Sequence, residues 1–299
     1  MSGSDTLQRW IFEQAGVRAV HVRLDRVYAE VLARGDYSSD VGRLLGEGLV
    51  VAGMLSSGVK FSGRISLQLR SENGPLRMLL ADCDDQGGMR ALASVAECGG
   101  PESEDAPDLQ ALAPDGILTL NLEPRVEGGR RWQGIVSMDQ PTLAGAVEGY
   151  FLQSEQLPTR LRLASDAGQA AGLLLQKLPG TAPDPDGWNR LSHLLDTISR
   201  SELLELDGST LAHRLFHEED RREFPARGLE FFCPCSRERV SAVLRSLGRE
   251  ELDSILAEQG RIETACEFCN ETYVFDSLDV AQLLASEDVP AGERGNRIH

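Results

Sequence analysis

Between residues 61 and 70 the chain alternates, with Ile65, Leu67 and Leu69 on one face and Arg64, Ser66, Gln68 and Arg70 on the other. A period of two predicts a half-buried β-strand. The Asn73-Gly74-Pro75 turn signal makes residues 76–81 its returning strand. Upstream, Val41, Leu44, Leu45, Leu49 and Ala52 recur at helical spacing and predict a helix over 40–60. Further strands are expected at 116–122 and 131–136, across the Gly128-Gly129 turn, and at 160–164, with a helix over 143–152. Antiparallel groups of strands with helices to one side predict an α+β fold, with a mixed sheet-and-helix core domain over residues 1–178.

The pattern changes at Pro179-Gly180, Pro183, Pro185 and Gly187, a cluster of breakers. Beyond it Trp188, Leu191, Leu194, Leu195 and Ile198 form a narrow apolar stripe at three- and four-residue spacing. Thr210 is expected to cap a second short helix containing Leu211, Leu215 and Phe216, ended by the charged run 217–222 and Pro225. Residues 179–230 therefore read as a helical linker. The ordinary role of such a stripe is docking on a core; a conditional docking would make it a moving part.

Residues 231–299 read as a small module. A short strand at 229–232 leads in, helices follow at 240–247 and 250–258, a strand at 272–275, and a last helix, capped by Ser277, runs to 284. The expected apolar set is Val240, Val243, Leu244, Leu247, Leu252, Ile255, Leu256, Ile262, Val274 and Phe275. A unit of this size with so small a core is marginal by itself.

Four cysteines lie in that module. Cys233-Pro234-Cys235 and Cys266-Glu267-Phe268-Cys269 form a C-x-C pair and a C-x-x-C pair. Two short thiol pairs on tight turns suit a tetrahedral metal centre, and four thiolates select zinc, or an iron–sulfur group, over hard cations. With no histidine in the module other than the terminal His299, a site for one Zn²⁺ per chain with four cysteine ligands is expected. A closed four-thiolate shell leaves no open position for substrate water, which excludes hydrolytic zinc chemistry. Two roles stay open: a structural staple, or a store of thiolates ready for oxidation, in which losing the metal also removes the module's staple. Arg237 and Arg239 are expected to favour thiolate at Cys235, and Glu267 to oppose it at Cys266 and Cys269. Cys83 and Cys98 have no partner spacing and read as small core residues.

Composition narrows the function. The 299 residues carry a formal charge of −17, which argues against a nucleic-acid partner. From Cys233 onward seven arginines, no lysine and thirteen acidic residues give −6, so the metal module lacks the basic face of a DNA-reading finger. The start of the chain lacks a signal-peptide pattern, and no apolar run reaches the roughly 20 residues of a membrane span. A cytoplasmic protein without a membrane or nucleic-acid partner is expected. There is no phosphate-binding G-x-x-x-x-G-K motif, no dinucleotide fingerprint around Gly46-Glu47-Gly48, and no metal or triad spacing among the histidines. These absences argue against an enzyme. A zinc-ribbon binding module and a thiol–disulfide oxidoreductase using Cys266 and Cys269 are the competing readings; the acidic charge counts against the first, and the missing βαβ unit against the second.

Taken together, these segments resemble the redox-regulated heat-shock chaperone family usually called the 33 kDa chaperonin. The likeness rests on residues 232–239 (FCPCSRER), 247–252 (LGREEL), 266–270 (CEFCN) and 150–159 (YFLQSEQLPT), with Gln68, Gly74-Pro75-Leu76 and Phe216-His217-Glu218-Glu219 also fitting. Ala91 departs from it, standing where the family pattern has glycine. The resemblance implies an ATP-independent holdase, inactive when reduced and zinc-bound. Oxidation would join Cys233 to Cys235 and Cys266 to Cys269, release zinc, unfold the module and loosen the linker. The activated protein, a homodimer, would hold unfolding or oxidatively damaged client proteins and keep them from aggregating. The linker face of Trp188, Leu191, Leu195 and Ile198 is a candidate client-binding surface, alongside the sheet of the first domain.

Overall fold

The computed structural model describes residues 5–58, 62–96, 107–125, 129, 131–180 and 182–285. The chain divides into two compact units, Met1–Phe232 and Cys233–His299.

In the first unit the elements run β1 (Thr6–Phe12), β2 (Val17–Leu24), α1 (Arg26–Leu32), α2 (Ser39–Ser56), β3 (Gly63–Arg70), β4 (Leu76–Asp84), β5 (Gly88–Val95) and α3 (Leu109–Leu112). They continue with β6 (Ile117–Pro124), β7 (Trp132–Val136), α4 (Leu143–Gln153), β8 (Thr159–Ser165) and β9 (Ala170–Lys177). Three helices follow, α5 (Gly187–Asp196), α6 (Arg200–Glu205) and α7 (Gly208–Phe216), then the short strands β10 (Arg222–Glu223), β11 (Arg227–Gly228) and β12 (Glu230–Phe231). One sheet has the order β10-β1-β2-β9-β8, with β11 also on β1; the other has the order β12-β5-β4-β3-β6-β7. All these pairings are antiparallel except that of β12 with β5. The mixed sheet-and-helix architecture is the α+β fold that the pattern predicts.

Helix α2 lies between the sheets, packed on β2, β8 and β9 of one and on β3, β4 and β5 of the other. Every residue from Asp40 to Ser56 is buried, as a helix enclosed on all sides requires. Close approach needs small residues at the contact. At Gly172 of β9 a Cβ would lie 2.7 Å from Cγ1 of Val50 and 2.8 Å from Cε of Met54. Two charges of this helix pair with each other, Arg43 with Asp40. Helices α5, α6 and α7 cover the other face of the first sheet. Leu191, Leu195, Leu203, Leu204, Leu211, Leu215 and Phe216 form a second core with Trp10, Phe12, Val17, Ala19, Leu173 and Leu175.

The second unit contains α8 (Arg237–Leu247), α9 (Arg249–Gln259), β13 (Ile262–Ala265), β14 (Thr272–Phe275) and α10 (Ser277–Ala285), with β13 and β14 forming an antiparallel hairpin. Its core is Leu244, Leu252, Ile262, Phe275, Val280 and Leu284. Three residues of the expected apolar set lie outside it: Val243, Leu247 and Val274 are exposed. They were expected inside because they are apolar in a helix or strand, but one side of each element here faces solvent.

Other local expectations need correction. Helix α2 ends at Ser56, short of residue 60, which is outside the described residues. Asp207, not Thr210, caps α7: its carboxylate accepts from the Thr210 amide at 3.0 Å and from the Thr210 hydroxyl at 2.8 Å. Asp276 takes the place given to Ser277, accepting from the amides of Leu278 and Asp279 at 2.9 Å. In both cases a carboxylate one to three residues upstream outcompetes a hydroxyl for the free N–H groups of the first turn. Strand β13 was not foreseen.

Candidate metal centre

The two cysteine pairs sit on different elements. Cys233 and Cys235 occupy the turn before α8, whose N-cap, Ser236, accepts a bond from the Arg239 amide. Cys266 and Cys269 lie in the loop closing the β13–β14 hairpin, just after the Ala265–Thr272 pair. The loop is tight: the Cys266 amide donates to the Glu271 carbonyl at 2.9 Å, and the Asn270 amide to the Cys266 carbonyl at 2.8 Å. Asn270 takes a left-handed φ of 60°, a conformation that asparagine tolerates better than most residues.

These two turns bring all four sulfurs within 4.8 Å of one another. Cys233 Sγ is 3.7 Å from Cys266 Sγ, and Cys235 Sγ is 3.3 Å from Cys269 Sγ. A tetrahedron with metal–sulfur bonds of about 2.3 Å has sulfur–sulfur edges of about 3.8 Å, so the cluster has the size and donor set of a four-thiolate metal site. All four cysteines are half-buried, and none is joined in a disulfide. They are too far apart for disulfides, whose sulfurs are about 2.05 Å apart.

The electrostatics explain why the cluster suits a cation. Burial pushes the Cys269 thiol well above its ordinary range, and the neighbouring sulfurs of Cys235, Cys266 and Cys233 push it further. Without a cation, converging sulfurs of this kind resist becoming thiolates together. Helix α8 directs its positive N-terminal end toward the turn holding Cys235. Arg237 is engaged by groups of the neighbouring elements. Its guanidinium donates to the Val274 carbonyl at 2.8 Å, pairs with Asp279 at 2.8 Å and stacks over Phe275. It braces α8 against β14 and α10. The polar group that does reach Cys235 is the Tyr273 hydroxyl, at 3.2 Å. Sequence reasoning passed over Tyr273; the one signal was its place four residues beyond Cys269, on the strand leaving the loop.

The remaining candidates fall elsewhere. On α5, Leu191 and Leu195 are fully buried against the sheet, while Trp188 of α5 and Ile198, just beyond its end, pack at the margin, half-buried. Cys83 is buried in β4, and burial raises its thiol to about 11, as for an inert core cysteine. Cys98 and His299 lie outside the described residues. Among the described residues no helix is long and apolar enough to cross a membrane.

Comparison with known proteins places the chain. Residues 5–276 match the family described as "Hsp33 protein". The 33 kDa chaperonin of Shewanella woodyi is 42% identical over 286 residues, covering 96% of this chain and 98% of that protein. The 33 kDa chaperonin of Pseudomonas paraeruginosa is 43% identical over 302 residues, covering 99% and 98%. The crystal structure of the 33 kDa chaperonin from Thermotoga maritima superposes with a TM-score of 0.80 at 22% identity, covering 94% of this chain and 98% of that one, and so shares its fold. With nearly full-length matches at this identity and a family match spanning both units, the chain belongs to the Hsp33 family of chaperones.

Proposed function

We propose that this chaperone is an ATP-independent holdase whose activity is switched by the redox state of Cys233, Cys235, Cys266 and Cys269. The observation that carries the proposal is the convergence of the four sulfurs within 4.8 Å, in a unit whose core among the described residues is six buried side chains. In the reduced protein these cysteines hold one Zn²⁺, and the ion acts as a staple. For so small a module, metal binding energy is folding energy.

Oxidation changes that balance. A thiolate that attacks peroxide, breaking its O–O bond, becomes a sulfenic acid, and a neighbouring thiol displaces water from it to form a disulfide. Each disulfide consumes one peroxide and two thiols and releases two waters. Two disulfides, Cys233–Cys235 and Cys266–Cys269, remove every ligand, and the module loses its staple. The three-part organisation, with residues 179–230 as a linker between the core domain and the 231–299 switch, lets that loss reach α5. The apolar face of Trp188, Leu191, Leu195 and Ile198, whose two leucines are buried in the resting state, becomes a surface for unfolding or oxidatively damaged client proteins. A homodimer in the cytoplasm is the active form. The overall charge of −17 keeps a protein with exposed apolar surface soluble.

Elemental analysis alongside client protection tests the proposal. The reduced protein should carry one zinc per chain and lose it on peroxide treatment as protection appears. Protection gained while the zinc stays bound would contradict it.

A further inference from the structure

A cavity of about 410 Å³ opens in the first unit between the two sheets, beside the C-terminal end of α2 and against α4. Its size falls in the range of small-molecule sites, about 300–1,000 Å³. The walls are largely apolar, formed by Leu55, Ile65, Leu120, Leu122, Trp132 and Phe151. Aromatic rings frame one side: Trp132 and Phe151 each meet the Tyr150 ring edge-on, at 6.2 Å and 5.5 Å between centroids. The proposed redox switch uses none of these residues.

Among the described residues one cation stands in this wall. Arg18, half-buried on β2, donates from Nε to Oε1 of Gln176 at 2.9 Å. Among the described residues neither terminal nitrogen has an acceptor of its own and no carboxylate pairs with Arg18. The wall's own carboxylate, Glu155, is engaged by the Tyr150 hydroxyl at 2.9 Å. The guanidinium lies so close over Gly58 that a Cβ there would be 2.5 Å from Nη1. Burial, and then the charge of Arg9, lower the Arg18 pKa from its ordinary value. Both effects are relieved by an anion. An arginine fork with two free nitrogens matches a carboxylate in bidentate geometry.

We infer that this cavity binds an amphiphilic monocarboxylate, a medium-chain fatty acid, with its chain among the apolar walls and its carboxylate on Arg18. The test uses the reduced, zinc-loaded protein and two probes, decanoate and decanol, below their aggregation concentrations. Binding is followed by calorimetry and by the fluorescence change that Trp132→Phe should abolish. Decanoate should bind saturably and at least about tenfold more tightly than decanol, the smallest discrimination expected of a desolvated charge-assisted pair. Arg18→Met should remove that difference by weakening decanoate alone, and Arg18→Lys should restore part of it. Leu122→Trp, which fills the cavity, should abolish binding of both probes while leaving the thermal midpoint near that of the parent. Equal binding of decanoate and decanol to the unmodified protein would overturn the inference without recourse to any variant. So would unchanged decanoate binding in Arg18→Met, or the lack of any saturable binding.

Discussion

The Tyr273 hydroxyl donates a hydrogen bond to Cys235 Sγ across 3.2 Å, tying the hairpin that carries one cysteine pair to the turn that carries the other. The same contact holds the phenol above its ordinary pKa, so the hydroxyl stays a donor. A donor to sulfur stabilises the thiolate and lowers its nucleophilicity. Tyr273→Phe is therefore expected to speed peroxide-driven zinc release severalfold, followed with a chromophoric chelator, while the reduced module stays folded. An unchanged release rate would show that Cys235 is not an early target of oxidation.

The pairing of oxidised cysteines reports the order of events. In the reduced protein sulfurs of different turns lie close, Cys233 to Cys266 at 3.7 Å and Cys235 to Cys269 at 3.3 Å. Disulfides formed inside an intact module would cross-link the turns and staple it shut. The account predicts the sequence-adjacent pairs instead, Cys233–Cys235 and Cys266–Cys269, because the turns separate as the metal leaves. Peptide mapping by mass spectrometry after oxidation distinguishes the two patterns. The same logic predicts that chelation of the reduced protein melts α8–α10 while the first unit stays folded, as read by residue-resolved hydrogen exchange.

His21 supplies a pH dependence in the first unit. It is fully buried on β2, and neither ring nitrogen finds a partner among the described residues. A Cβ on Gly208, at the start of α7, would lie 3.1 Å from Nδ1. Burial first, and then the charge of Arg23, lower its pKa from 6.5 to about 4, opposed by Asp207. The folded state thus prefers neutral imidazole. Stability is fully present above pH 6.5, falls as the unfolded chain takes up a proton it cannot keep when folded, and levels off below about pH 4. The loss amounts to about 3 kcal/mol. Urea midpoints at pH 7 and pH 4.5 should show it, and His21→Leu should remove much of the difference.

Docking of α5 is expected to restrain activity. Leu195→Ala removes a fully buried side chain and should cost about 2–5 kcal/mol, paid locally by α5 rather than by the whole unit. Hydrogen exchange should accelerate over residues 187–196 in the reduced protein, with partial client protection appearing without oxidant. Faster exchange with no protection would remove this face from the client site.

Much of this was legible in the chain because certain faces are exposed. Strand β3 alternates in sequence because the outer face of its sheet, at Arg64, Gln68 and Arg70, keeps access to solvent. Strands β2 and β9 gave no such signal. Their sheet is covered by α2 on one face and by α5–α7 on the other, so residues such as Val20, Val22, Leu173 and Leu174 are buried whichever way they point. The cysteine cluster could be read from spacing alone, since each pair needs only its own turn. Tyr273 and Arg237 could not, because their partners are fixed by how the hairpin, α8 and α10 pack together.

The most direct measurement is light scattering from a heat-unfolding client protein, with this chain added either reduced and zinc-loaded or after peroxide treatment. The account predicts suppression of aggregation only by the oxidised protein, lost again when reductant and zinc are restored. Equal suppression in both states, or none in either, would contradict the switch and leave the four cysteines as a structural staple.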